Sequence, residues 1–176
     1  GEAWYLFSHS FLLSREDYLF SMTAPVEDGE ELERYKALLE RRVTERIPLQ
    51  YLIGTQDFMG YTFRVTPDVL IPRQDTECVI EAVAQGGYSH ESILDVCTGS
   101  GCIAISLCLM LEPKICVGTD IDEKALEIAK ENGRRLAPMV EFKKSDLFSG
   151  VEGSYDLIIS NPPYIPTKDC MELMPE

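Results

Sequence analysis

The sequence has little of what marks a metal protein, a membrane protein or a nucleic-acid binder. It holds six cysteines in 176 residues, none of them in a C-x-x-C pair, and only His9 and His90 could add imidazole ligands. That pattern argues against zinc, and no metal is expected. Four of the six cysteines lie in apolar segments, where a free thiol behaves as a small hydrophobe, as expected of reduced cysteines in a cytoplasmic protein. The longest apolar run, Cys102 to Leu111, falls short of the roughly 18 residues a membrane-spanning helix needs. Gly1 to Leu6 lacks the basic region of a secretory signal. There is no initiator Met, so the chain is expected to begin inside a longer gene product. Basic residues are few: 16 Lys and Arg stand against 30 Asp and Glu, a net charge of −14. Phosphate contacts need a basic face, so direct nucleic-acid binding is not expected. A protein partner or a small molecule is the better default. No internal repeat or low-complexity tract is present.

What is present falls into three parts. Residues 1–47 read as helical. Ser14-Arg15-Glu16-Asp17 resembles a capping box, and Ala24-Pro25 breaks the chain. Leu32, Tyr35, Leu38, Leu39 and Val43 recur at helical spacing and predict one apolar face. Pro48 ends this part. From Leu49 to Val65 the residues are β-prone, and Met59-Gly60 predicts a hairpin turn. Residues 48–74 thus read as a hairpin linker, closed by an extended loop marked by Pro67 and Pro72.

Residues 75–176 alternate strands with helices. Asp75 to Gln85 predicts a helix ended by Gly86-Gly87. Strands are expected at Ser92–Val96, Ile115–Thr119, Met139–Phe142 and Tyr155–Ser160. Helices are expected at Gly101–Leu111 and at Asp122–Leu136, the latter capped by Asp122. Such alternation implies an α/β fold with a parallel sheet covered on both faces.

Four candidate sites fall at the carboxyl ends of these strands, where open α/β sheets bind ligands. In Asp95-Val96-Cys97-Thr98-Gly99-Ser100-Gly101 the glycines let backbone approach a ligand, and the helix that follows offers free N–H groups. The apolar Cys102, Ile103 and Ala104 do not fit a dinucleotide phosphate cradle, and a plain tight turn is the competing reading. Asp120 can accept from both hydroxyls of a ribose, or be structural. Asp146 can accept from an adenine amino group while Leu147 covers the ring; a surface loop rich in Ser and Asp is the alternative.

The fourth site is Asn161-Pro162-Pro163-Tyr164. Two prolines fix φ and remove two N–H donors, and they push the preceding residues toward extended geometry. The Asn161 side-chain oxygen and the Pro162 carbonyl become two acceptors on a stiff turn. A planar NH2 group could donate to both, which aims its nitrogen at an electrophilic methyl. An amide nitrogen is a poor nucleophile, so positioning and acceptors for developing charge matter more than a strong base. Tyr164 can stack on the planar group.

Three of these features, Asp95-x-x-x-Gly99-x-Gly101, Asp120 after the second strand and Asn161-Pro162-Pro163-Tyr164 after the fourth, resemble the class I, Rossmann-like methyltransferases that act on amino or amide nitrogens. Asn-Pro-Pro-Tyr is shared by adenine-N6 DNA methylases, guanine-N2 ribosomal RNA methylases and protein glutamine-N5 methylases. The flanks narrow the choice. Arg41-Arg42, Pro48-Leu49-Gln50-Tyr51-Leu52-Ile53-Gly54, Phe58-Met59-Gly60, Val65 to Glu77 with its Ile-Pro-Arg-x-Asp-Thr-Glu run, and Ser160 to Pro166 resemble the HemK/PrmC family, the peptide-chain release factor glutamine methyltransferases.

The resemblance implies a helical N-terminal domain that docks a release factor, a hairpin linker and a catalytic domain using S-adenosylmethionine. The substrate would be the glutamine of a Gly-Gly-Gln loop, methylated on its side-chain nitrogen. Carried over, Cys97, Thr98, Gly99, Ser100 and Gly101 would line the methionine part of the cofactor. Asp120 would hold the ribose, with Asp146 and Leu147 at the adenine. Asn161 would touch cofactor and substrate amide, and Pro162, Pro163 and Tyr164 would complete the clamp.

Cys97 stands where the family usually has Gly, and Leu147 where it often has an aromatic residue. The family's sheet has seven strands, whereas four are read here. The sheet is therefore expected to be truncated after its fourth strand and the helical domain clipped, with activity belonging to the complete protein. An amino-group nucleic-acid methyltransferase and a non-catalytic module on the same fold are the competing readings.

Overall fold

The computed structural model describes residues 2–21, 25–88 and 90–163. It divides at Gly54 into two compact units.

The first unit holds four helices: α1 (Glu2–Phe11), α2 (Arg15–Ser21), α3 (Glu30–Thr44) and α4 (Leu49–Ile53). The expected capping box opens α2. Ser14 N–H donates to Asp17 Oδ2 at 3.2 Å, and Asp17 N–H returns a bond to Ser14 Oγ at 3.1 Å. Leu6, Leu49 and Leu52 are the buried core, with Tyr35, Leu38 and Leu39 of α3 packed against them.

Two expectations are corrected here. Val43 is 68% exposed rather than on the apolar face. Its neighbour Arg42 turns inward instead and pairs with Glu2, at 2.9 and 3.2 Å. Leu49 to Ile53 is a helix, not a β-segment. The Pro48 carbonyl accepts from Tyr51 and Leu52 N–H, and Gly54, at φ 78°, ends the turn with its N–H on Gln50 O. The β-prone side chains lost to local capping plus the burial of Leu49 and Leu52.

The second unit starts with an antiparallel hairpin, β1 (Thr55–Phe58) and β2 (Tyr61–Arg64), turning at Met59 and Gly60 as expected. Phe58 and Phe63 are buried, with their rings edge to face at 6.0 Å. Helix α5 (Gln74–Gln85) follows, and Glu77 Oε1 accepts the Met59 N–H at 2.6 Å. Then come β3 (Ser92–Val96), α6 (Cys102–Leu111), β4 (Ile115–Asp120), α7 (Glu123–Leu136), β5 (Glu141–Lys144) and β6 (Leu157–Ser160).

The last four strands form one parallel sheet in the order β5-β4-β3-β6. The α/β expectation therefore holds. Strand β3 is an interior strand, buried from Ile93 to Val96, and α6 is buried from Cys102 to Cys108. A helix apolar all round belongs in a core. Asp122 caps α7 as expected, accepting from Lys124 N–H at 2.8 Å.

Two strands start later than expected. Met139 is 59% exposed and Val140 closes a turn onto Ala137 O, so β5 begins at Glu141. Asp156 is held before β6 by its own bonds. Its Oδ2 accepts from Glu91 and Ser92 N–H at 3.0 and 2.9 Å. The Phe142 ring of β5 fits where three glycines leave room. A Cβ on Gly101, Gly118 or Gly133 would lie 3.0, 2.7 or 2.7 Å from that ring.

Candidate active site

The strand order reverses at β3. The chain runs outward through β4 and β5, then crosses to the far side of β3 for β6. A crevice at the carboxyl ends of the strands is where such sheets take ligands.

The turn 97–101 leaves β3 with three left-handed residues: Cys97 at φ 62°, Gly99 at 54° and Gly101 at 81°. The two glycines accept this freely; Cys97 does so at a cost. The turn is fastened at several points. Thr98 N–H donates to Thr119 O at 2.8 Å, and Gly99 N–H donates to Asp120 Oδ2 at 2.9 Å. From below, Asp95 Oδ2 accepts the Thr98 hydroxyl at 2.6 Å and the Ala104 N–H at 3.2 Å. Asp95 is fully buried, and burial pushes its carboxyl up to about 7, against the pull of those two donors. Burial and the nearby Asp120 charge also raise the Cys97 thiol, so it is no activated nucleophile.

The residues singled out in the sequence divide by what they present. Thr98 and Ser100 side chains are buried, so only their backbone can meet a ligand. Asp120 sits at the tip of β4 and also accepts Asp122 N–H, through Oδ1, at 3.1 Å. A carboxylate has about four acceptor positions; two are filled here, and two remain for a diol. Asp146 and Leu147 follow β5, beside Asp120, whose carbonyl accepts Ser145 N–H at 2.9 Å. Leu147 is 53% exposed at φ 49°, and Ser145 Oγ–H holds its carbonyl at 2.8 Å. Asn161, Pro162 and Pro163 are exposed at the end of β6. Val96 pairs with Ser160, so Asn161 follows beside Cys97; Ser160 Oγ–H fixes this end on Val96 O at 2.6 Å. Tyr164 lies outside the described residues.

Two residues at these strand ends were not singled out. Ile121 and Phe148 are 60% and 56% exposed, next to Asp120 and Leu147. Large apolar side chains presented to solvent beside polar acceptors suit a flat, partly apolar ligand. The sequence signal was there in Leu147-Phe148, an apolar pair inside a polar loop. Among the described residues no group of three His, Cys, Asp or Glu could hold a metal, and no helix is long and apolar enough to cross a membrane.

Residues 74–174 match the methyltransferase small domain family, and residues 1–54 match the PrmC N-terminal domain. The chain is 39% identical, over 176 residues, to a release factor glutamine methyltransferase of Geobacter sulfurreducens, covering 99% of this chain and 61% of that one. It is 46% identical over 139 residues to a protein of the same name from Moorella thermoacetica, covering 76% and 49%. It is 44% identical over 151 residues to a ribosomal protein uL3 glutamine methyltransferase of Xanthomonas campestris, covering 83% and 49%. The chain thus spans about half to three-fifths of these relatives.

Two solved structures share the fold. One is a tRNA (uracil-54, C5)-methyltransferase of Pyrococcus abyssi in complex with S-adenosyl-L-homocysteine, at TM-score 0.52 and 20% identity, covering 62% of this chain and 28% of that one. The other is a methyltransferase from Pyrococcus furiosus, at TM-score 0.50 and 22% identity, covering 76% and 62%. The expected Rossmann-like sheet and the resemblance to the HemK/PrmC family both stand: the chain belongs to the methyltransferase small domain family, with a PrmC N-terminal domain ahead of it.

Proposed function

We propose that the protein methylates the side-chain amide nitrogen of a glutamine, using S-adenosylmethionine, and that this glutamine lies in the Gly-Gly-Gln loop of a peptide-chain release factor. The observation that carries the reading is one of placement. The turn 97–101, the Asp120 carboxylate and Asn161-Pro162-Pro163 leave the carboxyl ends of three neighbouring strands, β3, β4 and β6.

The donor set fits the cofactor. Asp120 keeps acceptor capacity for a ribose diol, Ile121, Leu147 and Phe148 offer apolar walls for an adenine, and Asp146 can accept from its amino group. The turn 97–101 brings backbone rather than side chains to the methionine portion. When bound, S-adenosylmethionine supplies a methyl group on a sulfonium.

The chain's own part is orientation. Asn161 Oδ1 and the Pro162 carbonyl accept from the two amide hydrogens and hold the NH2 plane. Pro162 and Pro163 keep that turn stiff. Orientation of this kind contributes roughly 7–11 kcal/mol to the barrier reduction in well-aligned reactions. The proton leaves the alkylated amide nitrogen for water, so no side-chain base is required. The helical unit of α1 to α4 is assigned to docking the factor, with the β1–β2 hairpin and the loop after it as linker.

The names of the relatives favour a protein glutamine over a nucleobase, and so does a charge of −14, which suits no long phosphate footprint. A Gln of ribosomal protein uL3 is the second reading, motivated by the Xanthomonas relative. Incubation with methyl-labelled cofactor and either purified substrate tests both. Label on the Gly-Gly-Gln glutamine is expected; an unlabelled release factor refutes the first reading, and label on uL3 alone selects the second.

A further inference from the structure

Asn132 lies on α7, fully buried, and its amide makes three hydrogen bonds to two other segments. Nδ2 donates to Ser100 O at 2.9 Å and to Arg64 O at 3.0 Å. Oδ1 accepts Arg64 N–H at 2.8 Å. Both amide hydrogens and the acceptor are thereby used. Two of the bonded groups belong to the end of β2, and the third to the turn that follows β3. Ser100 sits between Gly99, whose N–H is on Asp120, and Gly101, which opens α6. Around this clamp Arg64 pairs with Glu131, and the Arg135 guanidinium donates to Thr62 O. A buried amide is costly unless fully bonded. A network satisfied in one geometry holds that geometry more narrowly than apolar packing does.

We propose that Asn132 is a positioning residue that couples the turn 97–101 to the β1–β2 hairpin. Cofactor on the turn steadies β2 through Ser100 and Asn132. By linkage, a steadied hairpin tightens cofactor binding by the same factor. This rests on the reading of the turn as the cofactor site.

The test combines amide hydrogen exchange over residues 61–66 with calorimetry, using S-adenosylhomocysteine as an unreactive probe. In the wild type the probe should slow exchange at the Arg64 amide by about 5- to 150-fold, the range typical of intersite coupling. In Asn132→Ser the probe should still bind, more weakly by a similar factor, and leave Arg64 exchange unchanged. An equal slowing in the variant overturns the proposal. If the variant does not fold, the wild type decides alone: saturation by calorimetry with no slowing at Arg64 overturns it, and slowing supports it. A wild type that binds no probe refutes the cofactor site itself, and the coupling falls with it.

Discussion

The Gly99 N–H donates to Asp120 Oδ2 at 2.9 Å, so the turn after β3 is fastened to the tip of β4 by the same carboxylate that has acceptor capacity to spare. The second oxygen takes Asp122 N–H at the start of α7. One side chain thus sets the spacing of two loops and remains available to a ligand. Asp120→Asn should weaken S-adenosylmethionine binding about 10- to 100-fold, since hydrogen bonds to a charged group contribute about 1.5–3 kcal/mol. Calorimetric titration reads this directly; unchanged affinity would place the ribose elsewhere.

Asn161 is exposed at the end of β6, so its side chain packs into no core. Asn161→Ala should therefore leave the melting temperature unchanged while lowering the rate of methyl transfer about 10²- to 10³-fold, as for loss of one oriented polar group at a reacting centre. A parallel drop in stability would mark the residue as structural.

Gly133 tests packing against propensity. In mid-helix, Gly→Ala normally stabilises by up to about 1 kcal/mol. Here the new Cβ would lie 2.7 Å from the Phe142 ring. Gly133→Ala should instead destabilise by about 1–3 kcal/mol in urea unfolding, the usual cost of overpacking. Phe142→Leu should recover part of that loss in the double variant.

Asp95 predicts a pH dependence of defined sign. Its carboxyl titrates near 7 in the fold against 3.8 unfolded, so the folded state favours the protonated form. That contribution is complete below the unfolded value and is lost as pH rises toward 7. Over that window its loss amounts to at most about 4 kcal/mol. Comparing wild type with Asp95→Asn isolates the effect from the other carboxylates: the difference in unfolding free energy should shift in favour of the variant from about pH 5 to about pH 8. A constant difference would show that Asp95 stays ionised throughout.

Cys97 holds φ 62° with a side chain. Cys97→Gly removes a left-handed penalty of about 1–2 kcal/mol and adds unfolded-state entropy worth about 0.4–1 kcal/mol. Stability should rise slightly or not at all, with cofactor affinity retained. A large loss of affinity would make the thiol a ligand contact.

Much of the second unit was legible from the sequence because its signals are local. Apolar runs of strand length, a helix with an Asp cap and glycines at the β3–α6 turn each encode their own geometry over a few residues. The placing of four candidate stretches at four strand ends followed from that alternation alone. Strand order, and with it the neighbourhood of Asp120, Cys97 and Asn161, depended on β6 crossing to the far side of β3, which no local pattern records. The same limit explains Leu49 to Ile53, whose β-prone side chains were drawn into a helix by Pro48, Gly54 and burial with Leu6. It also explains Asn132, an ordinary polar residue in the sequence, whose partners lie 32 and 68 positions away. Sequence fixes what each segment prefers, because sterics and capping act between near neighbours. Tertiary structure decides which segments meet, because burial and buried hydrogen bonds act between residues the chain order keeps apart.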